Sequence, residues 1–371
     1  MTPRTAAAIP IARPLIGEEE KRQILEVLES GALVAGRRVG AFERAFADYL
    51  GVAHAVATSS GSAALHAAML ALGIGPGDRV VTTPFTFAAS SNAVIHAGAQ
   101  PVFADVDPAT GNLDPGATEA VLRGGGVRAI LVVHLYGLPA DMTAFRSLAD
   151  RYRVLLVEDC AQAHGAAIAG RKVATFGDAA IFSFYPTKNL TTGEGGMVVT
   201  PHAEVARRAR LLVDPRGDEE YEYEVVGFNF RMMEMCAAIG LIQLQALEAR
   251  NERRRENARR LSRGLASLRW LSTPVEPEGY RHVYHQYTVR VARGRDALSR
   301  HLTAAGIGNR VYYPTLVPHT AAYRARGFGG HFPEAERLTG EVLSLPVHPA
   351  LGSDDLDAVI GAVREFSGAA G

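Results

Sequence analysis

Lysine is nearly missing from this 371-residue chain: 36 of its 39 basic residues are arginine, and only Lys21, Lys172 and Lys188 are lysine. Cysteine is scarcer still. Cys160 and Cys236 alone rule out a disulfide framework and are too few for a structural zinc site, so no metal is expected. No charge is in excess either, because 39 acidic residues balance the basic ones. Nothing therefore draws the chain to nucleic-acid backbones or anionic lipid. No apolar run approaches the roughly 20 residues that span a bilayer. Met1–Pro14 has a short apolar run broken by Pro10. That is too little for a signal peptide, and it reads as a floppy arm on a cytoplasmic protein with no nucleic-acid or membrane partner.

What is present is length and apolar content, 47% of residues, enough for a large core and two to three domains. Glu18–Ser30 reads as an amphipathic helix ending at Gly31. From 54 to 200 short apolar strands alternate with helices: His54–Thr58, Arg79–Thr83, Pro101–Ala104, Ala129–His134, Val154–Glu158, Ala179–Ser183 and Met197–Thr200. The helices between them include Ser62–Leu72, Phe87–Ala97 and Met142–Tyr152. This rhythm predicts an α/β fold, a three-layer large domain with a mostly parallel seven-stranded sheet. Met232–Leu268 reads as a long connecting helix, and its run Arg250–Arg260 as a solvated face. Beyond it, Tyr284–Val291 and Gly308–Tyr312 read as strands and 296–305, 334–344 and 353–367 as helices, a smaller α+β domain. The expected division is 1–30 for arm and first helix, 31–245 for the large domain, and 246–371 for the connecting helix and small domain.

Two nucleotide signatures are absent. Lys188 follows Tyr-Pro-Thr rather than a glycine loop, and Gly73, Gly75 and Gly77 follow a helix rather than a strand. Gly124–Gly126 precede a strand, where a phosphate cradle precedes a helix. Three other loops each follow a strand, where ligands of such sheets sit. Thr58–Ala64 opens a helix with small and hydroxyl residues suited to an anion, although Ser60 or Ser62 serves equally as a helix cap. Val157–His164 carries Glu158, Asp159 and Gln162. Adjacent strand residues face opposite ways, so only one carboxylate enters a shared crevice. Cys160 and His164 read as a small buried thiol and a hydrogen-bonded histidine rather than metal ligands. Ser183–Gly196 carries Lys188, and imine chemistry is a reason to keep lysine where arginine is otherwise used.

An anion cradle, an acid for a pyridinium nitrogen and a Schiff-base lysine together describe a pyridoxal 5'-phosphate site. A neighbouring cation is expected to lower the Asp159 pKa and keep it ionised.

The ordered segments Ser60-Gly61-Ser62-Ala63-Ala64-Leu65, Glu158-Asp159-Cys160-Ala161-Gln162-Ala163-His164-Gly165, Ser183-Phe184-Tyr185-Pro186-Thr187-Lys188-Asn189-Leu190 and Gly227-Phe228-Asn229-Phe230-Arg231-Met232 carry a resemblance. Over about residues 15–367 the chain resembles the DegT/StrS sugar aminotransferases, fold-type I pyridoxal phosphate enzymes. The resemblance implies that Lys188 holds the cofactor as a Schiff base and shuttles a proton, Asp159 pairs with the ring nitrogen, and Gln162 bonds the phenolic oxygen. Phe87 stacks on the ring, with Phe85 as the alternative because the spacing there departs from the family's. Gly61, Ser62, Ala63 and Ser183 hold the phosphate; Ser62 stands where threonine is commoner. Asn229 reaches the neighbouring subunit's phosphate, which implies a homodimer with shared active sites. Arg231, Tyr313 and His319 are candidate substrate contacts.

The implied reaction moves an amino group, with L-glutamate the expected donor, to a nucleoside-diphosphate-linked keto-sugar, 4-keto favoured over 3-keto. Relatives lacking the lysine are dehydratases. A cyclitol aminotransferase, a dehydratase and a non-enzymatic sensor are the alternatives.

Overall fold

The computed structural model describes residues 9–216 and 223–366. In chain order the strands are β1 (His54–Thr58), β2 (Arg79–Thr82), β3 (Gln100–Phe103), β4 (Ala129–Val133), β5 (Leu155–Asp159), β6 (Ala167–Ile168), β7 (Arg171–Lys172), β8 (Ala179–Ser183), β9 (Gly196–Thr200), β10 (Leu271–Ser272), β11 (Tyr280–Arg281), β12 (Tyr287–Val291) and β13 (Val342–Leu345). Seven of them form the central sheet in the order β1-β9-β8-β5-β4-β2-β3. Only β9 runs antiparallel to its neighbours. The α/β class and mostly parallel seven-stranded sheet are as the sequence rhythm predicts.

Strands covered on both faces need apolar residues at every position. In β4, Ala-Ile-Leu-Val-Val, all are buried. Alternate residues feed two layers. Val80, Leu131, Val157 and Ile181 meet the helices Gly61–Ala71, Ala89–His96 and Ala203–Val213. Ala57, Ala180, Phe182 and Val199 meet Arg37–Leu50 and the first half of Glu234–Leu265. There the rings of Phe46 and Phe182 pack edge to face at 4.9 Å, a geometry that adds to area burial. The second half of Glu234–Leu265 buries Ala258, Leu261 and Leu265 against the antiparallel sheet β10-β12-β13, so one helix serves both sheets.

Four readings are corrected here. Gly308–Tyr312 is not a strand; it makes one isolated bridge, Arg310 to Ser344. The third strand of the small sheet is instead β13, read from sequence as the end of a helix. That helix stops at Glu341 because Val342–Leu345 are all buried against Tyr287–Arg290. The described part of the arm is not floppy. Ile9 pairs with both Gly306 and Gly308, and Pro10 accepts from His348. Gly308 permits this, since a Cβ there would meet the Ile11 nitrogen at 2.6 Å. Residues 1–8 of that expected arm lie outside the described residues.

The Arg250–Arg260 run is not simply a solvated face. One side of the helix buries Asn251, Arg254, Asn257 and Ala258, and Arg254 is only 6% exposed. Mixed charge hid the helical period, and tertiary packing claims the arginine stem. No helix among the described residues is long and apolar enough to cross a membrane.

A Cβ at Gly240, in the helix shared by both sheets, would lie 2.7 Å from the Phe42 ring. Gly240→Ala is therefore expected to cost about 1–3 kcal/mol by overpacking. A chemical denaturation curve should show a lower midpoint at unchanged slope; an unchanged midpoint would mean that the ring moves aside freely.

Candidate active site

The carboxyl ends of the parallel strands gather three loops. β1 ends at Thr58, and the helix Gly61–Ala71 follows within three residues. Ser60 caps it, its hydroxyl accepting from the Ala63 N–H at 3.1 Å. The Gly61 and Ser62 N–H groups lie too early in the helix for an intrahelical acceptor. Ser62 is exposed. Ser183, ending β8, closes against this helix start: a Cβ on Gly61 would sit 2.6 Å from the Ser183 Cβ. Only glycine lets the two approach, and together they line a cradle of donors for an anion.

β5 places its two carboxylates in opposite layers. Glu158 accepts from Ala174, Phe176 and Gly177 N–H at 2.7 to 2.9 Å and from His134 Nε2 at 3.1 Å. His134 Nδ1 accepts from the Ala140 N–H, so Nε2 carries the proton. Although His134, Glu158 and Cys160 lie within 4.8 Å of one another, the histidine and carboxylate lone pairs are thus engaged. Asp159 points the other way. Its Oδ2 accepts from Ser90 Oγ at 2.8 Å and its Oδ1 from the Ala161 N–H at 3.1 Å.

Burial pushes the Asp159 carboxyl up, outweighing Ser90, the Ala161 N–H, Lys188 and His134, which all pull it down. The expectation that a neighbouring cation sets its pKa low is therefore corrected. Removing a carboxylate from water costs more here than the chain's own partners return.

Lys188 lies beside it, half-buried, and its amine makes no hydrogen bond or ion pair among the described residues. Desolvation lowers its pKa to about 8, against the pull of Asp159. The other two lysines are committed elsewhere. Lys21 pairs with Glu18 at 2.5 Å, and the Lys172 ammonium sits 3.8 Å over the Tyr49 ring.

Gln162 is oriented by two bonds: its Oε1 accepts from the Tyr136 N–H at 2.7 Å, and its Nε2 donates to Tyr313 OH at 3.2 Å. The amide therefore keeps one N–H for a ligand. Of the two aromatic candidates, Phe85 is fully buried and edge-on to Tyr313, whereas Phe87 is 62% exposed and presents an open ring.

Lys188, Asp159, Gln162, Ser183, Tyr313 and the helix start are thus assembled at the carboxyl end of the sheet. Asn229, Arg231 and His319 are not joined to them by a side-chain hydrogen bond or ion pair among the described residues. Asn229 is exposed, Arg231 pairs with Asp214 at 3.2 Å, and His319 bonds the Gly330 carbonyl at 2.9 Å. His164 is buried on Phe182 and Phe184, as a core histidine is expected to be. Two participants escaped the sequence reading. Ser90 lies in the first turn of the helix Ala89–His96 with no local signal, and Arg254 was hidden in a charged run.

The donor set fits pyridoxal phosphate: a free amine of lowered pKa, a buried carboxylate, an oriented amide and a glycine-dependent anion cradle. Comparison with known proteins agrees. The model of the DegT/DnrJ/EryC1/StrS aminotransferase family matches residues 14–364. The chain is 41% identical to the UDP-N-acetyl-3-dehydro-alpha-D-glucosamine 3-aminotransferase of Acidithiobacillus ferrooxidans, over 91% of each chain. The structure of DesV from S. venezuelae in complex with a ketimine intermediate is similar at TM-score 0.90 and 42% identity, covering 94% of both chains. That of NtdA from Bacillus subtilis with bound cofactor PMP is similar at TM-score 0.89 and 30% identity, covering 98% of this chain and 86% of the other.

Reductive methylation of cofactor-free protein with peptide mapping should give a midpoint at pH about 8 for Lys188. Above that pH the amine is neutral and reactive; below it, protonated and protected. A midpoint at the ordinary lysine value of 10.5 would show that burial does not tune this amine.

Proposed function

The chain belongs to the DegT/DnrJ/EryC1/StrS aminotransferase family and uses pyridoxal phosphate, and from that premise we propose that it transfers an amino group from L-glutamate to a ketone on a nucleoside-diphosphate-linked sugar. The observation that carries the reading is the unpaired Lys188 amine beside Asp159, in the same group of strand-end loops as the Gly61–Ser183 cradle.

When bound, the cofactor supplies an aldehyde that carries the amino group and a ring that draws electrons from the reacting carbon. Gly61, Ser62 and Ser183 would hold its phosphate with backbone and hydroxyl donors, whereas the Ala63 N–H, expected to join them, is already donated to Ser60 Oγ. Asp159, steadied by Ser90 and the Ala161 N–H, holds the proton on the ring nitrogen. Gln162 would offer its remaining N–H to the phenolic oxygen, and the exposed Phe87 ring would be available to cover one ring face. Lys188 is the base and acid: with a pKa of about 8, its amine takes up and returns a proton near neutral pH.

Asn229 is exposed, along with the apolar Val34 at 63% and Met233 at 46%. This supports a homodimer in which Asn229 serves the partner's phosphate.

The sequence resemblance favours a ketone at C4. The 41% identical relative is named for a 3-dehydro sugar, which favours C3 as a second reading.

Borohydride reduction followed by peptide mapping is expected to trap the cofactor on Lys188 alone; trapping on Lys21 or Lys172 would overturn the site. On separate, unreduced holoenzyme, glutamate should bleach the aldehyde form. A panel of nucleotide-linked 3-keto and 4-keto sugars should yield one aminated product. If only a keto-cyclitol reacted, the nucleotide-sugar acceptor would be wrong.

A further inference from the structure

Behind Lys188 the chain builds a second polar space. A cavity of about 20 Å³ is lined by Lys188, Thr187, Arg13, Arg250 and Arg254 among others, and no carboxylate among the described residues lines it. That volume holds about one oxygen-sized atom.

Arg254 is the innermost of these. Its Nη1 donates to the Tyr284 and His285 carbonyls at 3.2 and 3.4 Å, while its buried Nε has no partner. Arg250 donates to Gln243 Oε1 and meets Glu20 at 3.7 Å. Among the described residues Glu20 is the carboxylate paired with these arginines, and it also accepts from Gln243. Arg13 is held at the mouth by the pinned residues Ile9 and Pro10. Burial and the adjacent Arg250 push the Arg254 guanidinium down to about 10. With Lys188 balanced by Asp159, three guanidinium groups stand against Glu20, a local positive excess, and a buried unpaired guanidinium N–H costs free energy unless an acceptor reaches it.

We propose that Arg13, Arg250 and Arg254 form an oxyanion pocket that receives a carboxylate or phosphate oxygen of the substrate next to Lys188. The cavity admits the leading oxygen, and the body of the ligand stays in the mouth, where its reacting group reaches the amine. Guanidinium forks suit both oxyanions. Which substrate supplies the oxygen rests on the aminotransferase reading, since both the amino donor and a nucleotide sugar carry such groups.

The test titrates holoenzyme by calorimetry with glutarate, a dicarboxylate without an amine, and with inorganic pyrophosphate. Arg13→Gln and Arg250→Gln are compared with the native protein; Arg254 is left intact because it also ties two carbonyls of the small sheet. At least one probe should bind saturably and lose roughly tenfold affinity in each variant. Loss for glutarate assigns the pocket to the donor's carboxylate, with a raised KM for glutamate at unchanged kcat. Loss for pyrophosphate assigns it to the sugar nucleotide. Absence of saturable binding, or equal binding in both variants, overturns the pocket and leaves a water site.

Trapping of cofactor on Lys188 is read on the same preparations. Its failure would overturn the functional reading, whereas intact trapping with unaffected titrations would overturn the pocket alone. Should the chain take up no cofactor, the same titrations on the protein as purified still decide the pocket.

Discussion

Two adjacent carboxylates at the end of one strand must part company, because successive side chains on β5 face opposite layers. Glu158 goes into the layer with His134 and ties down the turn at 174–177, while Asp159 goes under Ser90 toward Lys188. A slip of one residue would turn Asp159 into the layer of His134, away from Ser90 and the reactive lysine. β5 cannot slip. It is hydrogen-bonded in parallel on both sides, Glu158 standing opposite Val132 on β4 and opposite Ala180 on β8. The sheet therefore sets the site by its register.

Burial then sets the chemistry. Water withdrawal drives Asp159 up and Lys188 down, each toward its neutral form, and their mutual attraction opposes both shifts. Neither charge is locked, so a ligand's own charge has leverage on both. A nitrogen proton arriving beside Asp159 favours the ionised acid. A neutral amine on Lys188 is free to act as base. The same desolvation, without a paired carboxylate, leaves the Arg254 guanidinium short of an acceptor.

Much of this was readable along the chain. The strands of the central sheet announce themselves as short apolar runs, and three lysines among 36 arginines single out Lys188. What misled were segments whose local pattern is ambiguous. Val342–Leu345 continues a helical pattern yet pairs with β12, since burial on a sheet outweighs propensity. Arg250–Arg260 has the composition of a wet surface, but position 254 falls on the face that closes over the His285 loop. The Asp159 pKa was misjudged for a related reason: a sequence displays a cation but not the depth at which the acid is buried.

The order of small residues, carboxylate, amide and lysine, each following a strand, belongs to the sequence alone and fixes the fold class and the type of cofactor. It does so because strand alternation and chain order are local properties. The tertiary structure alone decided that Ser90 would hold Asp159, that Gly61 would close on Ser183, and that arginines from the arm and the long helix would meet behind Lys188. Those contacts join residues distant in the chain, and only packing brings them within reach of one another.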